Sequence, residues 1–270
     1  MGGCGSCAAS GCGTSGARIA GLTRLGLRPG AWDAVVGLAG NPNTGKSTVF
    51  NRLTGLRQHT GNWPGKTIAR AEGGFGYRGR RYRLIDLPGT YSLLSASPDE
   101  EVARDFILFG RPDVVVVVVD ATALERNLNL ALQVLQITDR VVVCLNLMDE
   151  ARALGIDVDV DGLAEDLGVP VVACVAREGA GMVALLDAIH GVSVGEVACR
   201  PRRLGLSVPG LTEALDRLTA MVAGAFGDLP QARWVALRLL HRDRRITEAV
   251  RTGEIARLGA GDGAAIGAGP

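Results

Sequence analysis

Aromatic side chains and excess charge of either sign are both scarce in this sequence of 270 residues. Phe, Trp and Tyr make up 4% of the chain, they do not alternate with basic residues, and the formal net charge is +1. Proteins that attract nucleic acid or anionic lipid through their overall field carry a clear positive excess. Single-strand binders add a surface of stacking aromatic rings. The composition therefore indicates no nucleic-acid partner.

Long hydrophobic runs are missing as well. The most apolar run, Val114–Val119, is bounded by Asp113 and Asp120, whereas a membrane-spanning helix needs about 20 apolar residues. The first residues, MGGCGSCAASGCG, lack the apolar core of a signal peptide. We therefore expect no membrane span and no secretion, and cysteines that are thiols rather than a disulfide framework.

Three of the cysteines, Cys4, Cys7 and Cys12, lie together near the start of the chain. Their spacing allows a soft-metal or iron–sulfur site. No fourth ligand is nearby, because His59 lies far along the chain. Free thiols in a flexible tail are the favoured interpretation.

What the sequence does contain, between residues 31 and 192, is an alternation of strand and helix patterns. Runs such as VVVVVVD (114–120) and VVVCLN (141–146) are typical of strands buried on both faces of a parallel sheet. The pattern predicts an α/β fold with a mostly parallel sheet and helices on both faces. Further strands are predicted at 34–40, 67–77, 81–86 and 169–174, helices from near Ser47, from Asp99 and over 124–138, 158–168 and 180–190, and a loop over 56–67.

The flanking segments differ in composition. Residues 1–30 are rich in Gly, Ala, Ser and Cys and predict a flexible tail. Residues 193–207 predict a linker. A small all-α domain is predicted over 208–258, because LTEALDRLTAMVAGAF and ARWVALRLLHRD place apolar residues at helical spacing, with Trp234 in the core. Residues 259–270 predict a disordered tail.

A glycine-rich turn follows the first predicted strand. The segment GNPNTGKS (40–47) fits G-x-x-x-x-G-K-[ST], with a strand before it and a helix after it. Gly45 lets backbone N–H groups curl around phosphate oxygens, and the helix N-terminus adds partial positive charge. Lys46 can reach the β- and γ-phosphates, and the Ser47 hydroxyl can bind Mg²⁺. The turn predicts a P-loop NTPase whose nucleotide contacts are Gly40, Asn41, Pro42, Asn43, Thr44, Gly45, Lys46, Ser47 and Thr48.

A second phosphate-side motif is Asp86-Leu87-Pro88-Gly89, at the end of a predicted strand. A carboxylate there can hold Mg²⁺, and the N–H of Gly89 can meet the γ-phosphate. The loop HTGNWPGKT (59–67) offers Thr67, or alternatively Thr60, as a further Mg²⁺ ligand, and its Trp63 either reports the nucleotide state or anchors the loop. The predicted catalytic residues are Lys46, Thr67 and Gly89.

The predicted base-reading residues follow two later strands. Asp149 can accept hydrogen bonds from the two N–H donors of guanine, which adenine lacks, and Asn146 can brace the base and tie it to the phosphate loop. The N–H of Ala176, followed by Arg177, is a weaker candidate for the guanine carbonyl. Leu147 stands where many guanine readers have Lys, so weaker nucleotide binding is expected. These residues predict GTP rather than ATP.

Several of these segments together resemble the ferrous iron transport protein B family. The resemblance covers roughly residues 34–190 and is carried by GNPNTGKSTVFNRLTGLRQHTGNWPGKT, DLPGTYSL, ARDFIL, VVDATALERNLNLALQ and NLMDEA. The segment ARWVALRLL is similar to the helical domain that follows the GTPase domain in that family.

The resemblance implies a GTPase with GTP, GDP and Mg²⁺ as ligands, joined to a helical domain that favours GDP retention. It implies a place on the cytoplasmic side of the inner membrane. The implied partners are an Fe²⁺-conducting membrane domain, small cytosolic accessory proteins and further copies of the chain. It also implies stimulation by K⁺, held by a phosphate-loop asparagine, either Asn43 or Asn41. Because Thr90 stands where Ras-type GTPases have a water-orienting Gln, slow intrinsic turnover is expected.

The sequence departs from the family in having no membrane domain, in Lys66, where the family usually has an apolar residue, and in its cysteine-bearing extension. We therefore expect that this chain does not conduct iron by itself. Two other functions stay open. One is a switch module in which nucleotide binding controls docking to a membrane partner. The other is a soluble assembly GTPase of the ribosome or tRNA-modification type, against which the near-neutral charge argues.

Overall fold

The computed structural model describes residues 22–23, 25–27, 32–56, 58–94, 97–202, 210–226, 229 and 231–256. The chain divides into two compact units. The sheet unit is Leu25–Gly205, and the helical unit comprises Met1–Arg24 and Leu206–Pro270. Cys4, Cys7 and Cys12 and most of both predicted tails lie outside the described residues, as does part of the predicted linker.

The sheet unit contains one seven-stranded sheet in the order β2-β3-β4-β1-β5-β6-β7. The strands β4, β1, β5, β6 and β7 are parallel neighbours, and β2, β3 and β4 pair antiparallel. The predicted α/β class is confirmed. The strands are β1 (Ala34–Gly40), β2 (Gln58–Asn62), β3 (Ala69–Tyr77), β4 (Arg80–Asp86), β5 (Val114–Asp120), β6 (Val141–Asn146) and β7 (Val171–Ala173).

Helices connect these strands. The α-helices of the sheet unit are α1 (Lys46–Thr54), α2 (Pro98–Asp105), α3 (Leu124–Ile137), α4 (Met148–Ala153), α5 (Val160–Leu167) and α6 (Met182–Val194). The segment Phe106–Gly110 continues α2 as a π-helix, and Ala121–Ala123 forms a 3₁₀ turn before α3.

Both faces of the sheet are covered because its central strands are apolar on both sides. Val36 of β1 belongs to a buried cluster with Phe50 of α1 and Ile189 of α6. Successive side chains of a strand point to opposite faces, and a Cβ at Gly37 would lie 2.9 Å from the Phe106 ring. The helix α3 also contacts β1, β5 and β6.

The predicted loop over 56–67 is wrong in part, because β2 occupies Gln58–Asn62. This strand has the sequence QHTGN, which shows no apolar alternation. Its backbone pairs with β3, with Thr60 opposite Ala71. An edge strand held by backbone hydrogen bonds needs no buried side-chain face, so its sequence resembles that of a loop.

The helical unit contains α7 (Leu211–Phe226), α8 (Ala232–Leu240) and α9 (Arg244–Arg251). Trp234 is buried, as predicted, and α8 contacts both neighbouring helices. A buried ion pair, with Arg238 Nη2 2.8 Å from Asp243 Oδ2, stabilises the turn between α8 and α9. Across the described residues, no helix combines the length and the apolar character that a bilayer span requires.

Candidate nucleotide-binding site

The phosphate loop connects the carboxyl end of β1 to the first residue of α1. Its glycines are required by close packing as well as by backbone conformation. Gly45 has φ of 78°, and a Cβ there would lie 2.4 Å from Asn146 Nδ2. A Cβ at Gly40 would lie 2.9 Å from the carbonyl oxygen of Val118. The N-terminus of α1 has no side-chain cap, so its first N–H groups are available to an anion.

Lys46 and Asp86 meet at the end of this loop. The strands β1 and β4 are parallel neighbours with Leu38 opposite Asp86, which places the carboxylate beside the phosphate loop. Lys46 Nζ donates to Asp86 Oδ1 and to the carbonyl oxygen of Leu87, the latter at 2.9 Å. Burial raises the pKa of Asp86, and the nearby charge and hydrogen bond of Lys46 oppose that rise. The positive charge of Lys46 and the negative charge of Asp86 compensate each other in this ion pair.

The turn that carries Gly89 lies against the phosphate loop. A Cβ at Gly89 would be 3.6 Å from Pro42, and the Thr90 amide donates to the carbonyl oxygen of Gly40 at 3.3 Å. Ser47 and Thr48 are exposed at the start of α1. Ser47 is exposed and next in sequence to Lys46, which contacts Asp86. The Ser47 hydroxyl and the Asp86 carboxylate are oxygen ligands of the kind that Mg²⁺ prefers. The residues present therefore fit a phosphate group with its metal ion.

The two candidate threonines of the 59–67 loop differ in position. Thr60 lies in β2 opposite Ala71, and Ala71 lies opposite Asp86 in the next strand. Thr60 is therefore two strands, about 10 Å, from Asp86. Thr67 is exposed and precedes β3, which begins at the end of β4 that carries Asp86. Its role as a Mg²⁺ ligand stays a prediction.

Trp63 anchors this loop. Its side chain is buried and makes an edge contact with Phe106, with ring centroids 5.7 Å apart, and the Arg70 guanidinium lies 5.4 Å from the ring centroid. Lys66 forms an ion pair of 2.5 Å with Glu101 of α2. The loop before Thr67 is thus joined to the segment that follows the Gly89 turn.

Asn146 joins the phosphate loop to residues 174–181 between β7 and α6, here called the base-reading loop. Its Nδ2 donates to the carbonyl oxygen of Thr44 at 3.0 Å, and its Oδ1 accepts from the Ala176 amide at 3.0 Å. The side chain is buried, so both bonds are shielded from water. The predicted tie between Asn146 and the phosphate loop is present as a direct hydrogen bond.

The amide of Ala176 has a different partner from the one predicted. The sequence makes this N–H a weaker candidate for the guanine carbonyl, whereas in the structure it donates to Asn146 Oδ1. The reason is that the strand end at Asn146 lies beside the loop that follows β7, where Cys174 also pairs with Leu145 through its amide.

Asp149 is held by the side chain of Arg177. The Arg177 guanidinium donates to Asp149 Oδ2 and is itself largely exposed. The second carboxylate oxygen, Oδ1, is buried and has no hydrogen-bond partner among the described residues. Leu147, with φ of 62°, turns the chain from β6 into α4, which carries Asp149. A buried carboxylate oxygen without a donor is costly, so this site is suited to a ligand with N–H donors.

The two candidate K⁺ ligands differ in exposure. Asn43 is exposed with φ of 68°, whereas Asn41 is buried and neither of its side-chain polar atoms has a partner in the part of the chain described.

Elsewhere, Cys144, Cys174 and Cys199 are free thiols, as predicted for these positions. No group of three or more His, Cys, Asp or Glu residues with metal-binding geometry occurs within the described ranges.

Arg52 also contacts this site, although no sequence pattern predicts it. Arg52 lies in the last turn of α1 and donates from Nε to the carbonyl oxygen of Ala176 at 3.0 Å, and from Nη2 to that of Arg177. An arginine on an exposed helix face has no sequence signal that distinguishes it from a solvated one. Only the folded arrangement shows that it reaches the base-reading loop.

A known protein family matches the part of the chain that contains the phosphate loop, the Gly89 turn and the base-reading loop. The family model described as ferrous iron transport protein B matches residues 34–189. The chain belongs to the ferrous iron transport protein B family. The Fe(2+) transporter FeoB of Escherichia coli K12 is 42% identical over 214 residues, which is 77% of this chain and 27% of the transporter. The chain thus spans about a quarter of the length of that relative.

Solved structures of family members show the same likeness. The cytosolic domain of L. pneumophila FeoB is 33% identical with a TM-score of 0.73, covering 83% of this chain and 88% of that one. A mutant of S. thermophilus NFeoB, whose structure was solved with GDP, is also 33% identical with a TM-score of 0.73. That match covers 84% of this chain and 85% of the S. thermophilus chain.

Proposed function

We propose that the sheet unit binds GTP with Mg²⁺ and hydrolyses it to GDP and phosphate. The observation that carries the proposal is the hydrogen-bonded path from Thr44 through Asn146 to Ala176. It joins the phosphate loop both to the end of β6, which leads into α4 with Asp149, and to the loop after β7. One ligand can therefore be recognised at its phosphates and its base together. The GDP-bound structure of the S. thermophilus relative supports the same ligand class.

At the phosphate end, Gly40 to Thr48 hold the phosphates, and Lys46 turns from Asp86 towards the β- and γ-phosphates. This leaves Asp86, with Ser47 and Thr67, to hold Mg²⁺, which neutralises charge on the phosphate oxygens when bound. The lysine–carboxylate ion pair keeps both buried charges compensated until the nucleotide arrives. Gly89 contributes its amide, because its turn lies against the phosphate loop.

At the base end, the Asp149 carboxylate accepts hydrogen bonds from the two N–H donors of guanine. Its buried Oδ1 already lacks a partner among the described residues, and its Oδ2 is released when Arg177 moves away from it. Because Ala176 donates to Asn146, we assign the contact with the guanine carbonyl to the amide of Arg177. Asn146 braces the base loop against the phosphate loop. Adenine offers no matching pair of donors, so ATP would leave the carboxylate unpaired.

The hydrolysis step is slow in this proposal. Thr90 is buried, and its Oγ1 donates to the carbonyl oxygen of Ser92 at 2.6 Å. Its hydroxyl is therefore engaged within its own turn and does not orient a water. Catalysis then relies on Lys46, Mg²⁺ and backbone N–H groups, which position the phosphates and stabilise the developing charge.

We also propose that K⁺ accelerates this step relative to Na⁺, with Asn43 as the first candidate ligand because it is exposed within the phosphate loop. We expect phosphate release from GTP to be several-fold faster in K⁺ than in Na⁺ at equal ionic strength, and Asn43→Ala to remove the difference. Asn41→Ala is the matched variant, since loss of the K⁺ effect there instead would transfer the role to Asn41. Equal rates in the two salts would contradict K⁺ stimulation.

For the whole protein, we propose that this cycle regulates Fe²⁺ uptake through a membrane domain on whose cytoplasmic side the two units lie. Small cytosolic accessory proteins and self-association are further proposed partners. The test replaces the matching part of the E. coli transporter with residues 34–256 of this chain. In cells lacking their own ferrous transporter, we expect the chimera to restore uptake of radioactive iron, and its Lys46→Ala form to lose most of that uptake. Equal uptake by both chimeras would contradict regulation by the nucleotide.

A further inference from the structure

Arg52 connects the helix of the phosphate loop to the loop that reads the base. The helix α1 begins at Lys46, and Arg52 lies near its end. Its guanidinium donates to two consecutive carbonyl oxygens across the molecule, that of Ala176 at 3.0 Å and that of Arg177. A planar guanidinium can span two such acceptors with little loss of freedom once it is placed.

The carbonyl bonds of Arg52 complete the anchoring of a single peptide segment. The amide of Ala176 is held by Asn146 Oδ1, and the carbonyl of Ala176 is held by Arg52 Nε. Next in the chain, Arg177 is held at its carbonyl by Arg52 and at its side chain by Asp149. The segment is thus fixed on one side by the strand that ends in Asn146 and on the other by α1.

This anchoring forms a closed ring of contacts around the site. From Arg52 the ring passes through Ala176 to Asn146, then to the Thr44 carbonyl and back along α1. Leu147 stands where a lysine stem would otherwise pack along the base. The positions of the remaining base contacts, Asp149 and the Arg177 amide, therefore depend more heavily on how firmly the 176–177 segment is held.

We propose that Arg52 is a positioning residue that sets the lifetime of the bound guanine nucleotide by holding the 176–177 segment against the base. This inference rests on the proposed function. Arg52 acts on binding and not on the reacting phosphates, because its contacts are with the base-reading loop and the lysine of the phosphate loop lies at the other end of α1. Loss of Arg52 therefore loosens the base contacts of GDP and GTP alike.

The test measures dissociation and chemistry separately. For Arg52→Ala we expect release of fluorescent GDP about tenfold faster than in the wild type, since two hydrogen bonds from a charged donor are lost. The dissociation constants of GDP and GTP should rise by a similar factor. The rate of single-turnover hydrolysis, measured with enough protein to bind all the GTP, should stay within about twofold of the wild-type rate. Arg52→Lys, which keeps one charged donor, should release GDP at an intermediate rate.

Arg202→Ala is the matched control. Arg202 is an exposed arginine of the same unit whose ion pair with Asp166 spans 3.4 Å, and its removal should leave GDP release unchanged. Thermal unfolding of each variant reports its folding. If Arg52→Ala unfolds, Arg52→Lys and Arg52→Gln supply the comparison.

The possible results separate this inference from the function on which it rests. Unchanged GDP release in Arg52→Ala overturns the positioning role while leaving GTP binding intact. A hydrolysis rate that falls as steeply as the affinity also overturns it, because Arg52 would then act through the phosphate loop. A wild-type protein that binds no guanine nucleotide overturns the proposed function, and the inference with it.

Discussion

Replacing Lys46 with alanine is expected to lower GTP hydrolysis by about two to three orders of magnitude. In the proposed function, Lys46 supplies a positive charge at the β- and γ-phosphates that the Mg²⁺ ligands cannot replace, and loss of one such preorganised donor typically costs a factor of this size. The same change leaves the carboxylate of Asp86, whose pKa burial already raises, without its lysine. We therefore expect weaker GTP binding as well. Phosphate release at saturating GTP and Mg²⁺ measures the loss.

The control for Lys46→Ala is Arg81→Ala. Arg81 is an exposed basic residue of β4, 3.9 Å from Asp33, and its removal changes the net charge by the same amount. It should leave the hydrolysis rate within about twofold of the wild type. A Lys46→Ala protein that is folded, binds GTP and hydrolyses it at the wild-type rate would show that the phosphate loop is not the catalytic site.

Replacing Asp149 with asparagine is expected to lower the affinity for GDP and GTP by at least about a hundredfold. The asparagine amide would point an N–H group at one of the guanine donors, so one hydrogen bond is lost and two donors face each other. The affinity for ATP, which gains nothing from the carboxylate, should change little. Competition of each nucleotide with fluorescent GDP measures the ratio of the two affinities.

Glu150→Gln is the matched variant for Asp149→Asn. Glu150 is the neighbouring acidic residue of α4 and is exposed, so removal of its charge should leave the preference for guanine unchanged. An Asp149→Asn protein that still prefers GTP over ATP would assign base reading to other residues. In that case the first candidate is the amide of Arg177, within the 176–177 segment that Arg52 holds.

The phosphate end of the site could be predicted from the sequence because its parts are local. The strand, the glycine turn and the start of α1 are contiguous, and each residue type follows from backbone geometry or charge. The Gly89 turn could be predicted because β4, the strand before it, alternates basic residues with Tyr82 and Leu84. The sheet was predictable for the same reason, since its central strands are long apolar runs.

The base end could be predicted only in part because it is built from contacts between distant segments. Asn146 and Asp149 follow a predictable strand, but the partner of the Ala176 amide depends on how two loops meet. The contact from Arg52 depends on the end of a helix meeting a loop far along the chain. The strand β2 escaped prediction for a related reason, because backbone pairing with β3 defines it and its own side chains do not.

Both ends of the site contain an ion pair where the ligand is expected. Lys46 pairs with Asp86 at the phosphate end, and Arg177 pairs with Asp149 at the base end. Each pair compensates a partly buried carboxylate, and in the proposed function each opens before the nucleotide is held. The cost of opening them, added to the missing lysine stem at Leu147, is a physical reason to expect weak binding and ready exchange of nucleotide.

The proposed function is tested most directly by phosphate release by the wild-type protein from GTP and from ATP, measured side by side with Mg²⁺ and K⁺. We expect slow, Mg²⁺-dependent release from GTP and release from ATP that is lower by at least about a hundredfold. Equal release from the two nucleotides, or a preference for ATP, would contradict the role assigned to Asp149. Tight GTP binding with no phosphate release would contradict hydrolysis and favour a switch module that acts through binding alone.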